Sequence, residues 1–392
     1  MNPMSLFRSL LLLFFGLVLL SPAFANDKNP DQIRFATYNI AMGLESEGEL
    51  YRRLRSGDDE ALKKVAAVIQ QVRPDVLLIN EFDWFELDST LLFITNYLDE
   101  PQFGNEAISY AHALNGAVNT GWNSELDLNS NGISGEPQDA WGYGKFTGQY
   151  GMAVLSRFPL KLERSFRFFK WSDMPDALEP MNPDGSAWYP EEIWKELRLS
   201  SKSHWDITAT IDNNPVHFLV SHPTPPVFDG PEDRNGARNH DEIRLWADYV
   251  DPERSAYIHD DAGGTGGLLA DARFVIAGDL NADPVDGDSS NGAIGQLLKH
   301  SLVNASCVPA SEGAVQASLA QGGKNREHQG NPASDTGDFN DKYTGNMRID
   351  YVLPSATLKV IGCGVFWPGK DQPGHDLIDV SDHRLVWVDV EI

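Results

Sequence analysis

The chain is poor in cysteine, poor in positive charge and, beyond its first residues, free of long apolar runs. Two cysteines in 392 residues, Cys307 and Cys363, exclude a thiolate-rich metal cluster, because structural zinc sites draw on four closely spaced Cys or His ligands. Lysine and arginine total 31 against 57 aspartates and glutamates, a formal net charge of −26. So acidic a chain lacks the broad basic surface with which nucleic-acid binders displace counterions, and this weighs against a polyanion-coating protein. It leaves room for a local group of Arg, Lys and metal that receives one phosphate. Neither an internal repeat nor a low-complexity linker is present, which excludes solenoids and strings of small modules.

The apolar exception is N-terminal. Arg8 precedes an apolar run over residues 10–20, and Ser21-Pro22-Ala23-Phe24-Ala25 then supplies a small-x-small ending. A bilayer-spanning helix needs about 20 apolar residues, so this shorter run reads as a cleavable signal peptide over 1–25. No cysteine follows it to take a lipid. The expectation is an exported protein, periplasmic or secreted, monomeric and without stable membrane insertion. An oxidising compartment would let Cys307 and Cys363 pair; two buried thiols are the alternative.

Short runs rich in Val, Ile, Leu and Phe recur, predicting strands over 33–39, 76–80, 152–156, 204–211, 216–221, 274–277, 349–353 and 385–390. Helical periodicity is clearest over 60–72, where Leu62, Val65, Ala66 and Ile69 share one face before Arg73-Pro74 stops the helix; 241–250 looks similar. Strands interleaved with helices imply a layered α/β domain with mixed sheets, expected as one domain over 26–392. Gly, Asn and Asp mark long loops over 116–151 and 322–345, and loops of that length in compact domains usually serve function. Trp122, Trp141, Tyr143 and Trp171 in or near them could stack on bases, touch lipid, or pack the loops. The glycine run over 263–267 lacks the strand-then-helix setting of a dinucleotide fingerprint.

Polar residues stand where several apolar strands run out: Asn39, Glu81, His222, Asp279 with Asn281, Asp350, and Asp382-His383. Strand ends are where α/β scaffolds hold their sites. Alone, each has a plain explanation, such as a turn cap or a solvated strand end. Independent turns would not be expected to supply a carboxylate, amide or imidazole after so many strands.

The ordered pieces Thr37-Tyr38-Asn39, Pro74-Asp75-Val76 leading to Glu81, Gly151 to Arg157, Gly278-Asp279-Leu280-Asn281, Arg348-Ile349-Asp350-Tyr351 and Ser381-Asp382-His383 resemble the endonuclease/exonuclease/phosphatase superfamily. The resemblance spans nearly the whole mature chain. It implies a deoxyribonuclease I-like fold, a four-layer α/β/β/α sandwich of two packed mixed sheets with the site at one end. Asn80 stands where members commonly carry Gln, and Pro223 follows His222 where many have Leu.

The chemistry so implied is hydrolysis of a phosphoester, with Mg²⁺ as cofactor and Mn²⁺ or Ca²⁺ as possible substitutes. Glu81, Asn39 and Asp382 are the expected metal residues. His383 is the expected base, oriented by Asp350, with Asp279 and Asn281 facing the phosphate; the competing assignment makes Asp279 the water activator and leaves His383 to hold the phosphate. His222 would hydrogen-bond the phosphate or protonate the leaving group, and Arg157 is a candidate phosphate clamp. The substrate could be a small phosphoester, a phospholipid head group or nucleic acid. An extracellular endonuclease and a non-catalytic binding module of the same fold are the other readings.

Overall fold

The computed structural model describes residues 32–85 and 88–392, so the signal-peptide expectation over 1–25 lies outside the described residues. The described residues form thirteen strands: β1 (Ile33–Met42), β2 (Val76–Phe82), β3 (His112–Asn115), β4 (Met152–Ser156), β5 (Leu160–Ser165), β6 (His204–Ile211), β7 (Asn214–Ser221), β8 (Phe274–Asp279), β9 (Gly337–Asp338), β10 (Asn346–Met347), β11 (Asp350–Pro354), β12 (Lys359–Val365) and β13 (Val386–Glu391). The first large sheet has the order β12-β13-β1-β2-β4-β3, the second β11-β8-β7-β6-β5, and β9 pairs with β10. Each large sheet is antiparallel except for one central parallel pair, β1 with β2 and β7 with β8.

Alternation along these strands builds the layers. In β2, Val76 and Leu78 face the second sheet while Leu77 and Ile79 face the helices; in β8, Val275 and Ala277 face inward and Phe274 and Ile276 outward. Strands apolar on both faces are covered on both faces. The helix Glu60–Val72 covers the first sheet: Asp59 caps it by accepting from the Leu62 amide at 3.0 Å, and Arg73 ends it in the left-handed region before Pro74. The helix Arg234–Tyr249 covers the second sheet with Ile243, Leu245, Trp246 and Tyr249. It begins seven residues ahead of the predicted start at 241. The fold is therefore the four-layer α/β/β/α sandwich. Among the buried aromatics, Phe218 sits between the sheets, and truncating it to Ala would cost about 3–5 kcal/mol.

Cys307 and Cys363 are joined in a disulfide, which ties the loop after residue 303 to edge strand β12. Among the described residues no helix is long and apolar enough to cross a membrane.

Candidate active site

The two parallel pairs end at the same pole, and the seam between the sheets is polar there. Asn39 on β1 lies beside Asn80 on β2, and its Nδ2 donates both to Glu81 Oε1 at 3.2 Å and to Asp279 Oδ2 at 3.1 Å. The Asp279 amide donates to Asn80 Oδ1 at 3.3 Å, so the last residue of β8 is held by β1 and β2 from the opposite sheet. Glu81 is reached through a left-handed turn, φ 56°. A non-glycine residue there costs on the order of 1 kcal/mol or more, and such strain clusters at functional sites.

Antiparallel neighbours bring in the remaining groups. Because β11 runs against β8, its first residue Asp350 pairs with Asp279. Because β13 runs against β1, the residues before it fall beside Asn39, where Ser381 Oγ donates to the Asn39 carbonyl at 2.8 Å and accepts from the His383 amide. His383 Nδ1 lies 3.1 and 3.0 Å from the two Asp350 oxygens, one of which also accepts from Thr336 Oγ1. The other ring nitrogen, Nε2, faces Asp279 Oδ2 at 3.5 Å. From the end of β7, His222 Nε2 approaches that same oxygen at 3.4 Å, while its Nδ1 is buried without a partner among the described residues. One carboxylate oxygen is thus faced by nitrogens from Asn39, His222 and His383.

Asn281, itself at φ 52°, donates its backbone amide to Asp279 Oδ1 and its side-chain amide to the Pro223 carbonyl. Asp382 is exposed, and its carboxylate acts electrostatically on both Glu81 and His383. Arg157 is not brought to the site. Since β4 runs against β2, its end pairs with the start of β2, and Arg157 bonds Asp75 at 2.9 Å at the far pole. Correcting that expectation removes a phosphate clamp; the guanidinium is an exposed tether for the first sheet. Trp171 is a core residue, fully buried against Trp194, with Nε1 donating to Asp241.

Two contributors escaped the sequence reading. Lys202, two residues before β6, is buried and lies within the field of Glu242, Glu81 and Asp279. Burial pulls its ammonium down and those carboxylates oppose the pull. Glu242, on the inner face of the helix Arg234–Tyr249, accepts from the Ser201 amide and hydroxyl and the Thr224 amide, fixing the segments that carry Lys202 and His222. A charged residue in the Ser-Lys-Ser run before an apolar strand was the available signal for Lys202.

Burial dominates the electrostatics. It raises Glu81, although His383 and the Asn39 amide oppose it, and it raises Asp279 against the same two groups. It holds His222 well below its ordinary 6.5, so that ring is neutral at neutral pH. For His383, burial acts downward, but Asp350 and Asp279 outweigh it and raise the ring well above 6.5. Asp279, Asp350 and His383 each offer one ligand atom within 4.8 Å of the others. Glu81 and Asp279 are hard oxygen donors whose charged forms burial disfavours. That donor chemistry fits Mg²⁺ and does not fit a thiophilic metal.

This sandwich, with an acid and imidazole cluster at the pole of its parallel strands, is a deoxyribonuclease I-like fold. The chain belongs to the endonuclease/exonuclease/phosphatase family, whose model matches residues 36–383. Members of that family are phosphoester hydrolases. Similar solved structures include an endonuclease/exonuclease/phosphatase from Beutenbergia cavernae, 18% identical, covering 92% of this chain and 72% of that one, TM-score 0.47. Sphingomyelinase C from Streptomyces griseocarneus is 14% identical over 91% of this chain and 99% of its own, TM-score 0.49. A Staphylococcus aureus beta toxin mutant with bound magnesium ions is 14% identical over 91% and 99%, TM-score 0.46. No curated protein matches the chain.

Proposed function

We propose that the protein is an exported, Mg²⁺-dependent phosphoesterase that cleaves phosphodiester or phosphomonoester bonds by in-line attack of an activated water. The observation that carries this reading is the convergence of Asn39, His222 and His383 on one Asp279 oxygen, with Glu81 joined to it through Asn39. Glu81, Asn39 and Asp382 are the residues to hold Mg²⁺, which when bound neutralises charge on the phosphate oxygens.

The placement of His383 between two carboxylates favours the second of the two base assignments. A ring flanked by Asp350 and Asp279 is best protonated, and an imidazolium is suited to holding a phosphate oxygen. Asp279 then takes the proton from the attacking water. Asp350 keeps the His383 ring in place through Nδ1. Asn281 has a second amide hydrogen for the phosphate, beyond the one given to Pro223. His222, kept neutral by burial, serves as a hydrogen-bond donor to the phosphate better than as an acid toward the leaving group.

A panel of phosphomonoesters, phosphodiesters, sphingomyelin and DNA, assayed with Mg²⁺ and with EDTA, tests the reading. Turnover of at least one class is expected, silenced by EDTA and restored by Mg²⁺ or Mn²⁺. An inert panel would instead favour a non-catalytic module. Fractionation of producing cells tests export: the expected product is a mature chain beginning at Asn26 outside the cytoplasm.

A further inference from the structure

In the second sheet the polar strand ends follow the sheet order. Asp350 begins β11, Asp279 ends β8, His222 follows β7, Lys202 precedes β6, and Arg167 follows β5. Register keeps them level: Asp350 pairs with Asp279, His204 with Ser221, and Ser165 with Trp205. Strands lie about 4.8 Å apart, so the row runs about 14 Å from Asp279 to the edge strand.

At that edge stand two guanidiniums, Arg167 and Arg198, without a carboxylate bonded to them among the described residues. Arg167 lies 4.5 Å from the Trp122 ring centre and 4.4 Å from Phe168; Arg198 lies 4.6 Å from both Phe168 and Trp141. Arg198 Nη1 donates to Asn119 Oδ1, a neutral acceptor, and Arg167 Nη1 is buried with no acceptor among the described residues. The nearby Asp261 carboxylate is engaged by Ser165 Oγ and by the Arg167 and Phe168 amides. Arg238 next to them donates to the Leu199, Trp141 and Arg198 carbonyls. Burial depresses both arginines, Arg198 to about 10 with Arg167 adding to the effect, yet both stay charged at neutral pH. Aromatic rings lie against both guanidiniums, and among the described residues no acceptor engages Nε or Nη2 of either arginine, which leaves donors for an oxyanion. Asn119 connects this edge to the catalytic pole by donating its amide to the Lys202 carbonyl at 2.8 Å.

We propose that Arg167 and Arg198 form a second anion subsite, in line with the catalytic row, that takes a further, non-cleaved phosphate of the substrate. This rests on the phosphoesterase reading. It narrows the substrate class to molecules with at least two phosphates: a polynucleotide strand or a multiply phosphorylated small molecule.

The test separates the two readings. Tetrathymidylate and inositol hexakisphosphate are titrated against the mature chain in EDTA, so that no turnover intrudes, with tryptophan fluorescence as readout because Trp122 and Trp141 flank the arginines. At least one probe should bind, and Arg167→Ala and Arg198→Ala should each weaken it at least tenfold. Arg167→Lys, which keeps charge and aliphatic stem, should recover part of that loss, and melting curves verify folding of every variant. Whichever probe shows the arginine dependence identifies the phosphate source. With Mg²⁺, the ratio of kcat/KM for the multiphosphate probe over bis(p-nitrophenyl) phosphate should fall about tenfold in the same variants. Failure of both probes to bind, or affinities unaffected by the substitutions, would overturn the subsite. Arginine-dependent binding without any turnover would leave the subsite standing and remove the hydrolase reading.

Discussion

At one pole of the second sheet His383 bonds Asp350 at 3.0 Å; on the outer face of the same sheet, toward the starts of β7 and β8, His217 bonds Asp206 at 2.7 Å. By residue type the two pairs are the same, and the second lines a cavity of about 630 Å³ shared with Tyr249, Arg164 and Arg273. They differ in what surrounds them. Asp206 accepts from His217 and from the Tyr249 hydroxyl at 2.6 Å, and the cavity's cation Arg164 is bound to Asp260 and to the Gly264 and Gly266 carbonyls. That network is closed. Around His383, Glu81 and Asp279 are raised by burial and His222 keeps an unpartnered nitrogen. Incomplete satisfaction of buried groups marks the pole that holds the candidate site.

The largest expected break in the symmetry between the two pairs is catalytic. Asp279→Asn should lower kcat by about 10²–10⁴, the usual range for a positioned proton acceptor, while the melting temperature stays close to that of the parent. At the other pair, Asp206→Asn should leave kcat within a few-fold. Next in size is the disulfide. Its 56-residue separation predicts about 4 kcal/mol of stability in the chain-entropy picture, so Cys363→Ser should shift urea unfolding strongly and kcat little.

A third histidine gives the pH dependence. His204 is fully buried, with Nδ1 2.7 Å from Ser200 Oγ and Nε2 donating to the Glu242 carbonyl at 2.9 Å. Burial lowers it to about 4. With a folded value below the unfolded 6.5, its contribution is complete above pH 6.5 and is lost as pH falls toward 4. That amounts to about 3 kcal/mol, and His204→Gln should flatten the slope of unfolding free energy in that window. Smallest is His217→Ala, which leaves Asp206 with Tyr249 alone and should cost about 1–3 kcal/mol by urea titration without altering kcat.

Much of the molecule was legible from the chain itself. Strands β1, β2, β4, β6, β7, β8, β11 and β13 carry runs rich in Val, Ile, Leu and Phe or an apolar alternation, and the polar residues at their ends could be read from the sequence. The edge strands β5 and β12 were not legible. β5 exposes Lys161 and Glu163, and β12 is interrupted by Gly362 and Gly364, so neither shows the apolar alternation of a buried strand. Strand direction was the deeper gap. In a mixed sheet the reactive pole gathers the ends of some strands and the starts of others, so Arg157 was wrongly admitted after β4 and Lys202 was missed before β6. Residue type alone does not tell which pole a strand end faces.

Divalent-ion binding is the most direct test that Glu81, with Asn39 and Asp382, holds a metal ion beside Asp279 and His383. Mn²⁺ titrated into the metal-free protein and followed by electron paramagnetic resonance should give a site whose affinity falls at least tenfold in Glu81→Gln and is unchanged in Asp206→Asn. Equal Mn²⁺ affinity in Glu81→Gln and the parent protein, or a loss confined to Asp206→Asn, would contradict it.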